Sequence, residues 1–559
     1  MRSLRPAPLL ATLLAACGGS TPSVAPPTPS AATTAAITPQ DLRTRISIFA
    51  DDSMLGRRTG TPGNAKGNAY IAAELGRLGL KPAGDSGSFL QRVPLLRFRV
   101  DSATATLRAG ANSLALWEYY PYQPTFQVPV RPVSGAPVVY IGGPADTTAL
   151  PPRDSLAGKV VLFKDDPQGG NSLQAPDLGP AGRLGRVAGI MITNVDPVIA
   201  SFDQVLRTPP LVVHDSVSVP PGATQPRIII LPTASVTKLF GRPLDALKPG
   251  DATPPLQGEI KFEGTDLGAT NVVAILEGGD PGRRGEYVAL GAHNDAIGIV
   301  PPVEHDSLRA YNTVIRPRGA NDSPREPTAE EAAKIRTIID SMRKIRPPRI
   351  DSIVNGADDD GSGSMGLLEI AESMAKAERR PARSMLFVWH TGEESGLQGS
   401  RWFTDHPTVP RDSIVAQVNI DMIARGGPQD EKLGGPGYIQ AIGTRRLSTE
   451  LGDLAETVDR DGKYGLIFDY SYDADGHPDN FYCRSDHYMY ARYGIPIAFF
   501  STGGHRDYHQ VTDEVQYLDF AKYTTVTRFV GDLASRLADL DHRPVVDKPK
   551  PDPQAPCKQ

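Results

Sequence analysis

Cysteine is almost absent from this 559-residue chain: Cys17, Cys483 and Cys557 are too few for a disulfide scaffold or a cysteine-based zinc framework. A strong charge of either sign is also lacking. The formal net charge is −5, and removal of a leader carrying Arg2 and Arg5 would make it −7 (−5 − 2), so neither nucleic acid nor an anionic membrane surface is an expected partner. No run of 18 or more apolar residues marks a spanning helix. Gly and Pro are plentiful, 55 and 52 residues, which implies many loops. A composition of 40% hydrophobic and 22% charged residues is that of a globular protein, and the length suggests roughly two to four units rather than one core.

The N-terminus reads as a leader. Arg2 and Arg5 precede a short apolar stretch, Leu9 to Ala16, too brief to cross a bilayer. It ends in Leu14-Ala15-Ala16-Cys17, which resembles the lipobox of bacterial lipoproteins; the resemblance implies cleavage after residue 16 and lipidation of Cys17. An ordinary secretory signal is the alternative. Residues 18–38, rich in Ser, Thr, Pro and Ala, then form a tether, and Gly18 favours the outer membrane over the inner. The expected location is therefore the bacterial cell envelope through a lipid anchor, with secretion as the alternative. In that oxidising setting Cys483 and Cys557 either pair and pin the Pro-rich tail, 541–559, or both stay free.

From Asp41 to Leu80 the pattern is helix, GRRTGTPG loop, helix, with Ala69, Ile71, Ala72, Leu75 and Leu78 at helical spacing. Over 101–262 short β-branched runs at 136–141, 159–163, 189–193 and 227–231 alternate with Pro and Gly turns, as in a small β-rich unit inserted into a larger one. Its segments GKVVLF, AGRLGRVAGIMITN and IIILPTASVTKLFG resemble a protease-associated domain. The larger body, 39–100 and 263–540, resumes the alternation of strands and helices expected of an α/β fold.

That second part spaces out five metal-binding side chains: His293 in GAHND, Asp359 in ADDDGSG, Glu394 in TGEESG, Asp421 in NIDMIA and His509 in DYHQVTDE. Two imidazoles and three carboxylates suit a pair of divalent cations with one carboxylate shared. Four of the five follow apolar runs, and Asp359 precedes the helix opened by Gly361-Ser362-Gly363. Open α/β sheets bind ligands past strand carboxyl ends and at helix starts. Asp295, two residues after His293, is placed to orient that ring. Glu393 and Glu394, adjacent at the end of an apolar strand, point in different directions, so one can bind metal while the other moves a proton. Residue type alone does not say which does which.

Together with RSDH at 484–487, these motifs resemble the zinc-dependent peptidase family M28 over about 40–98 and 265–535. The resemblance implies a mixed eight-stranded sheet between helices, a protease-associated insert, two zinc ions (cobalt or manganese being possible substitutes), and metal-assisted hydrolysis of peptide bonds. It places His293 and Asp421 on one ion, Glu394 and His509 on the other, Asp359 between them, Glu393 as general base, Tyr508 at the oxyanion and Asp295 as the orienting aspartate. An aminopeptidase is the leading expectation. A carboxypeptidase of the same clan, gripping a terminal carboxylate through Arg316, Arg318, Arg325, Arg484 or Arg506, is the nearest rival, and a catalytically silent binding ectodomain a more distant one.

The chain departs from the family in the long insertion, 299–355, between His293 and Asp359. Thr328 and Glu331 form a capping-box signature there, ahead of an apolar face of Ile335, Ile338, Ile339, Met342 and Ile345. The insertion is expected either to overhang the site rim and limit access to short peptides, or to decorate the periphery. His305 and Asp306 read as a surface pair, or else as a further metal or substrate contact.

Overall fold

A computed structural model describes residues 33–123, 128–143, 152–166, 182–207, 211–215, 222–426 and 435–559. Cys17, the leader and residues 18–32 of the tether lie outside them. Among the described residues no helix is long and apolar enough to cross a membrane.

The main sheet has strands β1 (Lys81–Pro82), β2 (Leu90–Arg92), β3 (Thr270–Leu276), β4 (Tyr287–His293), β5 (Ser384–His390), β6 (Ile414–Ile420), β7 (Tyr438–Ile442), β8 (Ile467–Asp469) and β9 (Ile497–Ser501). Their order is β1-β3-β5-β4-β6-β9-β7-β8, with β2 also paired to β3, so the sheet has nine strands and not the expected eight. The extra strand is a three-residue piece that follows the helix-loop-helix and pairs antiparallel with β3. β4, β5, β6 and β9 run parallel at the centre. Every residue of β5 and β6 is buried, because both faces of the sheet are covered.

Helices α1 (Pro39–Phe49), α2 (Pro62–Arg77), α5 (Gly361–Lys376) and α6 (Phe520–Asp539) share one apolar core with a face of the sheet, containing Ile46, Leu75, Leu367, Phe387 and Phe529. Arg45 is wholly buried and ties α1 to its neighbours, pairing with Glu74 at 2.9 Å, Glu369 at 3.1 Å and also Glu372. Three carboxylates around one guanidinium are tolerable here because Arg77 and Lys376 join the cluster from the rim.

Between residues 95 and 266 a separate eight-stranded sheet closes over its own core of Leu107, Val138, Leu162, Met191 and Ile229. Within it Pro137–Tyr140, Val160–Lys164, Gly189–Thr193 and Arg227–Ile230 run parallel in sequence order.

The insertion between β4 and α5 is ordered. An antiparallel ribbon, Gly298–Glu304 with Ile350–Val354, carries α3 (His305–Ile315) and α4 (Ala329–Arg343). The capping box forms, Thr328 Oγ1 accepting from Glu331 N and Glu331 Oε2 from Thr328 N. The apolar face of α4 is less covered than its spacing suggested. No residue of α4 is fully buried, and Ile345 lies beyond the helix end, 86% exposed. Nor are His305 and Asp306 a surface pair: both are buried, with His305 bridging Asp306 and Glu514 at 3.0 Å each, and Asp306 receiving Arg346. Cys483 and Cys557 are bonded to each other.

Candidate metal centre

The motif residues sit at the boundaries of regular elements or in the loops that follow them. His293 is the last residue of β4; Glu393 and Glu394 follow β5, Asp421 follows β6, and Asp359 precedes α5. His509 lies in the loop after β9 with a left-handed backbone, φ 58°. This conformation is uncommon outside glycine and is held by surrounding contacts.

The five come together as two groups that share Asp359. His293 Nε2 stands 3.2 Å from Asp359 Oδ1 and 3.7 Å from Asp421 Oδ1. His509 Nε2 stands 2.9 Å from Asp359 Oδ2 and 3.0 Å from Glu394 Oε2. In both triads, His293/Asp359/Asp421 and Asp359/Glu394/His509, the ligand atoms lie within 4.8 Å of one another. Asp421 Oδ1 and Glu394 Oε1 are buried with no hydrogen-bond partner. Burial without a partner is costly for a carboxylate oxygen, and a cation would supply the missing contact. The donor set, two imidazoles with three carboxylates, therefore fits two zinc-sized ions.

The surrounding residues fix the ligands. Asp360 Oδ2 accepts from His293 N at 3.0 Å, and its Oδ1 from Gly363 N and Met422 N, joining three of the ligand-bearing segments. Asp513 accepts the backbone amides of Asp358 and Asp359, each at 3.1 Å. Ser485 donates to Asp421 Oδ2 at 2.9 Å. Asp295 differs from its expected role in detail: His293 Nδ1 meets its backbone carbonyl at 3.1 Å, while the nearer carboxylate oxygen is at 3.6 Å. The Asp295 carboxylate is already engaged, accepting from Thr59 Oγ1 at 2.6 Å and from Glu393 N at 3.2 Å. It thereby links the first ligand loop to the Glu393 backbone.

Electrostatics separate the acids. Burial, then neighbouring Glu394 and Asp421, push the Glu393 carboxyl well above its usual range despite the opposing pull of His293. Burial and Asp359 raise Glu394 to about 7, although His509 opposes. Burial would raise Asp359 as well, but His293 and His509 hold it far below the usual range. Burial keeps the Tyr508 phenol protonated; its hydroxyl lies 3.3 Å from Arg484 Nη2, and its ring stacks on His509 at 3.9 Å.

A family model described as Peptidase family M28 matches residues 339–534. Over that stretch the chain is similar to peptidase family M28. The match takes in Asp359, Glu393, Glu394, Asp421, Tyr508 and His509, while His293 and Asp295 lie before it. Among curated relatives, leupeptin-inactivating enzyme 1 of Streptomyces exfoliatus is 29% identical over 175 residues, 30% of this chain and 34% of that protein. Leucine aminopeptidase 1 of Coccidioides posadasii (strain C735) is 31% identical over 296 residues, 51% of this chain and 60% of the relative. The chain thus spans from about a third to three-fifths of these relatives' lengths. Among solved structures, an aminopeptidase from Aneurinibacillus sp. strain AM-1 superposes with a TM-score of 0.46 at 16% identity, covering 92% of this chain and 97% of that one.

Three contributors to this site were not singled out from sequence. Asn321 comes from the insertion and lines the space beside Asp359 and Glu393. Thr59, in the GRRTGTPG loop, anchors Asp295. Asp513 carried a signal, since it follows His509 by four residues in DYHQVTDE, but its target is backbone, which no side-chain pattern reveals.

Proposed function

We propose that the chain is a two-zinc exopeptidase that removes residues from the amino end of peptides. The observation that carries this reading is the pair of ligand triads sharing Asp359, with Glu393 held beside them through Asp295. His293 and Asp421 would hold one ion, Glu394 and His509 the other, and Asp359 both. Bound there, zinc supplies Lewis acidity toward a scissile carbonyl and toward water. Glu393, which lines the same space as Asp359 and Asp421, takes the proton of the attacking water and passes it to the departing amine. Tyr508, kept protonated by burial, donates its hydroxyl toward the developing oxyanion. The names of the relatives, leucine aminopeptidase 1 among them, support attack from the amino end.

One observation favours the carboxypeptidase alternative. Arg484 lines the same space and, among the described residues, has no carboxylate within 4.0 Å; it donates instead to Asn321 Oδ1 and the Asp479 backbone carbonyl. A guanidinium without a carboxylate partner there could grip a terminal carboxylate. Paired substrates distinguish the two, one with a free amine and one N-acetylated, assayed with zinc-loaded protein and with Glu393→Gln. Turnover of the free-amine substrate alone supports the aminopeptidase, and turnover that requires a free C-terminal carboxylate transfers the assignment to its rival.

The β-rich unit at 101–262 is proposed to be a protease-associated domain, supported by its segment order and by the parallel pairing of the strands from residues 137–230. Cys17 is proposed as a lipid attachment point that holds the enzyme in the cell envelope. Fatty-acid labelling that persists in Cys17→Ala would contradict it.

A further inference from the structure

Beside the metal-ligand cluster lies a cavity of about 390 Å³. Asn321, Phe481, Gly503 and Gly504 line both this cavity and the space around Asp359, Glu393 and Asp421, so the two adjoin across these residues. We propose that it receives the side chain of the substrate residue being released and that it selects a cationic one, lysine or arginine. The inference rests on the exopeptidase reading and adds its substrate class.

The lining is not that of a leucine pocket. Two carboxylates, Asp469 and Asp479, face one guanidinium, Arg318. Arg318 is consumed internally, its Nε 3.0 Å from Asp322 and its Nη1 3.1 Å from Asp479. Asp469 has no such partner: among the described residues no Lys or Arg nitrogen lies within 4.0 Å of it. It accepts from Tyr438 Oη at 2.7 Å and from Ser471 N at 2.8 Å, donors that orient the carboxylate without neutralising it. Burial works against ionisation, but these donors, with a smaller contribution from His477 in the same lining, outweigh it and hold the acid below its usual range, so it is charged at neutral pH.

Two further features accept a long cationic side chain. Gln440 is only 2% exposed and its Oε1 has no hydrogen-bond partner, leaving an acceptor in the wall that an ammonium or guanidinium could satisfy. Tyr472 and Phe481 meet edge to face at 5.2 Å, offering an aromatic wall for the methylene stem and the cation. A leucyl side chain would strip water from Asp469 and return no donor. A site built to accept hydrogen bonds discriminates strongly against ligands that lack the donor.

The test compares kcat/KM of the zinc-loaded full chain for Lys-, Arg-, Leu- and Glu-p-nitroanilide, in the wild type and in Asp469→Asn. Calorimetric binding of L-lysinamide and L-norleucinamide is measured alongside, as a readout independent of turnover. The expected result is Lys and Arg ahead of Leu by at least about tenfold, with the Lys-to-Leu ratio falling about tenfold in Asp469→Asn. Leu equal to or ahead of Lys in the wild type would overturn the proposal, as would a ratio unmoved by the substitution. If no free-amine substrate turns over, the aminopeptidase reading fails while the pocket is still judged by binding: lysinamide no tighter than norleucinamide overturns it too. Should Asp469→Asn not fold, Tyr438→Phe, which removes one donor to the same carboxylate, reads the same ratio.

Discussion

Adjacent carboxylates at 393 and 394 end in different surroundings, and this separates their chemistry. Glu394 Oε2 reaches His509, whereas the Glu393 backbone is tied to Asp295 and its side chain lines the open space. Glu393→Gln keeps the shape and removes the proton acceptor, so kcat is expected to fall roughly 100- to 10,000-fold with little change in Tm; near-normal turnover would assign the base elsewhere. A second residue-scale prediction concerns His487, buried and stacked on Phe499 at 4.5 Å. Burial pulls its pKa down to about 3, against the weaker opposing field of Asp486. The folded state thus prefers the neutral ring. That preference is in full effect above the unfolded value near 6.5 and is lost as pH falls toward 3. Between pH 7 and pH 4 the wild type should lose roughly 3 kcal/mol more stability than His487→Phe, measured by denaturant unfolding. The ligand positions were legible from sequence because each stands at the end of an apolar run or the start of a glycine-opened helix. His487 was legible only as a letter in RSDH, since nothing local foretells burial.

At the scale of elements, the insertion acts through polar contacts with the loop that carries His509. Arg309 pairs with Asp507 at 3.2 Å, Asn312 donates to the Arg506 carbonyl at 3.0 Å, and Arg349 pairs with Glu514 at 2.5 Å. Gly319 is the tightest point: at φ 58°, a Cβ there would lie 2.6 Å from the His505 carbonyl oxygen and 2.7 Å from that of Tyr508. Gly319→Ala must shift the Tyr508 segment, and kcat/KM is expected to fall about tenfold or more, since small misplacements of catalytic groups are costly. An unchanged kcat/KM would show that the insertion does not position Tyr508. The sequence signalled the helix of this insertion through its capping box. It could not signal the docking, because α4 has no fully buried residue and the partners on α3 lie nearly 200 residues away in the chain. In the main sheet the opposite held: fully buried strands showed as short apolar runs whose ends were readable, while β2, three residues long, left no pattern.

Across the whole molecule, the disulfide closes a loop of 74 residues and brings Gln559 against the 472–482 segment. Gln559 donates to the carbonyls of Tyr472 and Ala474 and accepts from Tyr482 N, bracketing a segment that lines the side-chain cavity. Mild reduction is expected to lower stability by about 4 kcal/mol and to raise KM more than it lowers kcat; a KM indifferent to reduction would separate the tail from the pocket. Whether the two cysteines pair could not be read from sequence, since it depends on the 5.8 Å between their Cα atoms. At the centre of the proposed function stand two ions sharing Asp359. Anomalous diffraction at the zinc edge from crystals of zinc-loaded protein tests this most directly. Two peaks about 3.5 to 4 Å apart are predicted, one beside His293 and Asp421, the other beside Glu394 and His509, with an Asp359 carboxylate oxygen on each. A single peak, or two that do not share Asp359, would contradict it.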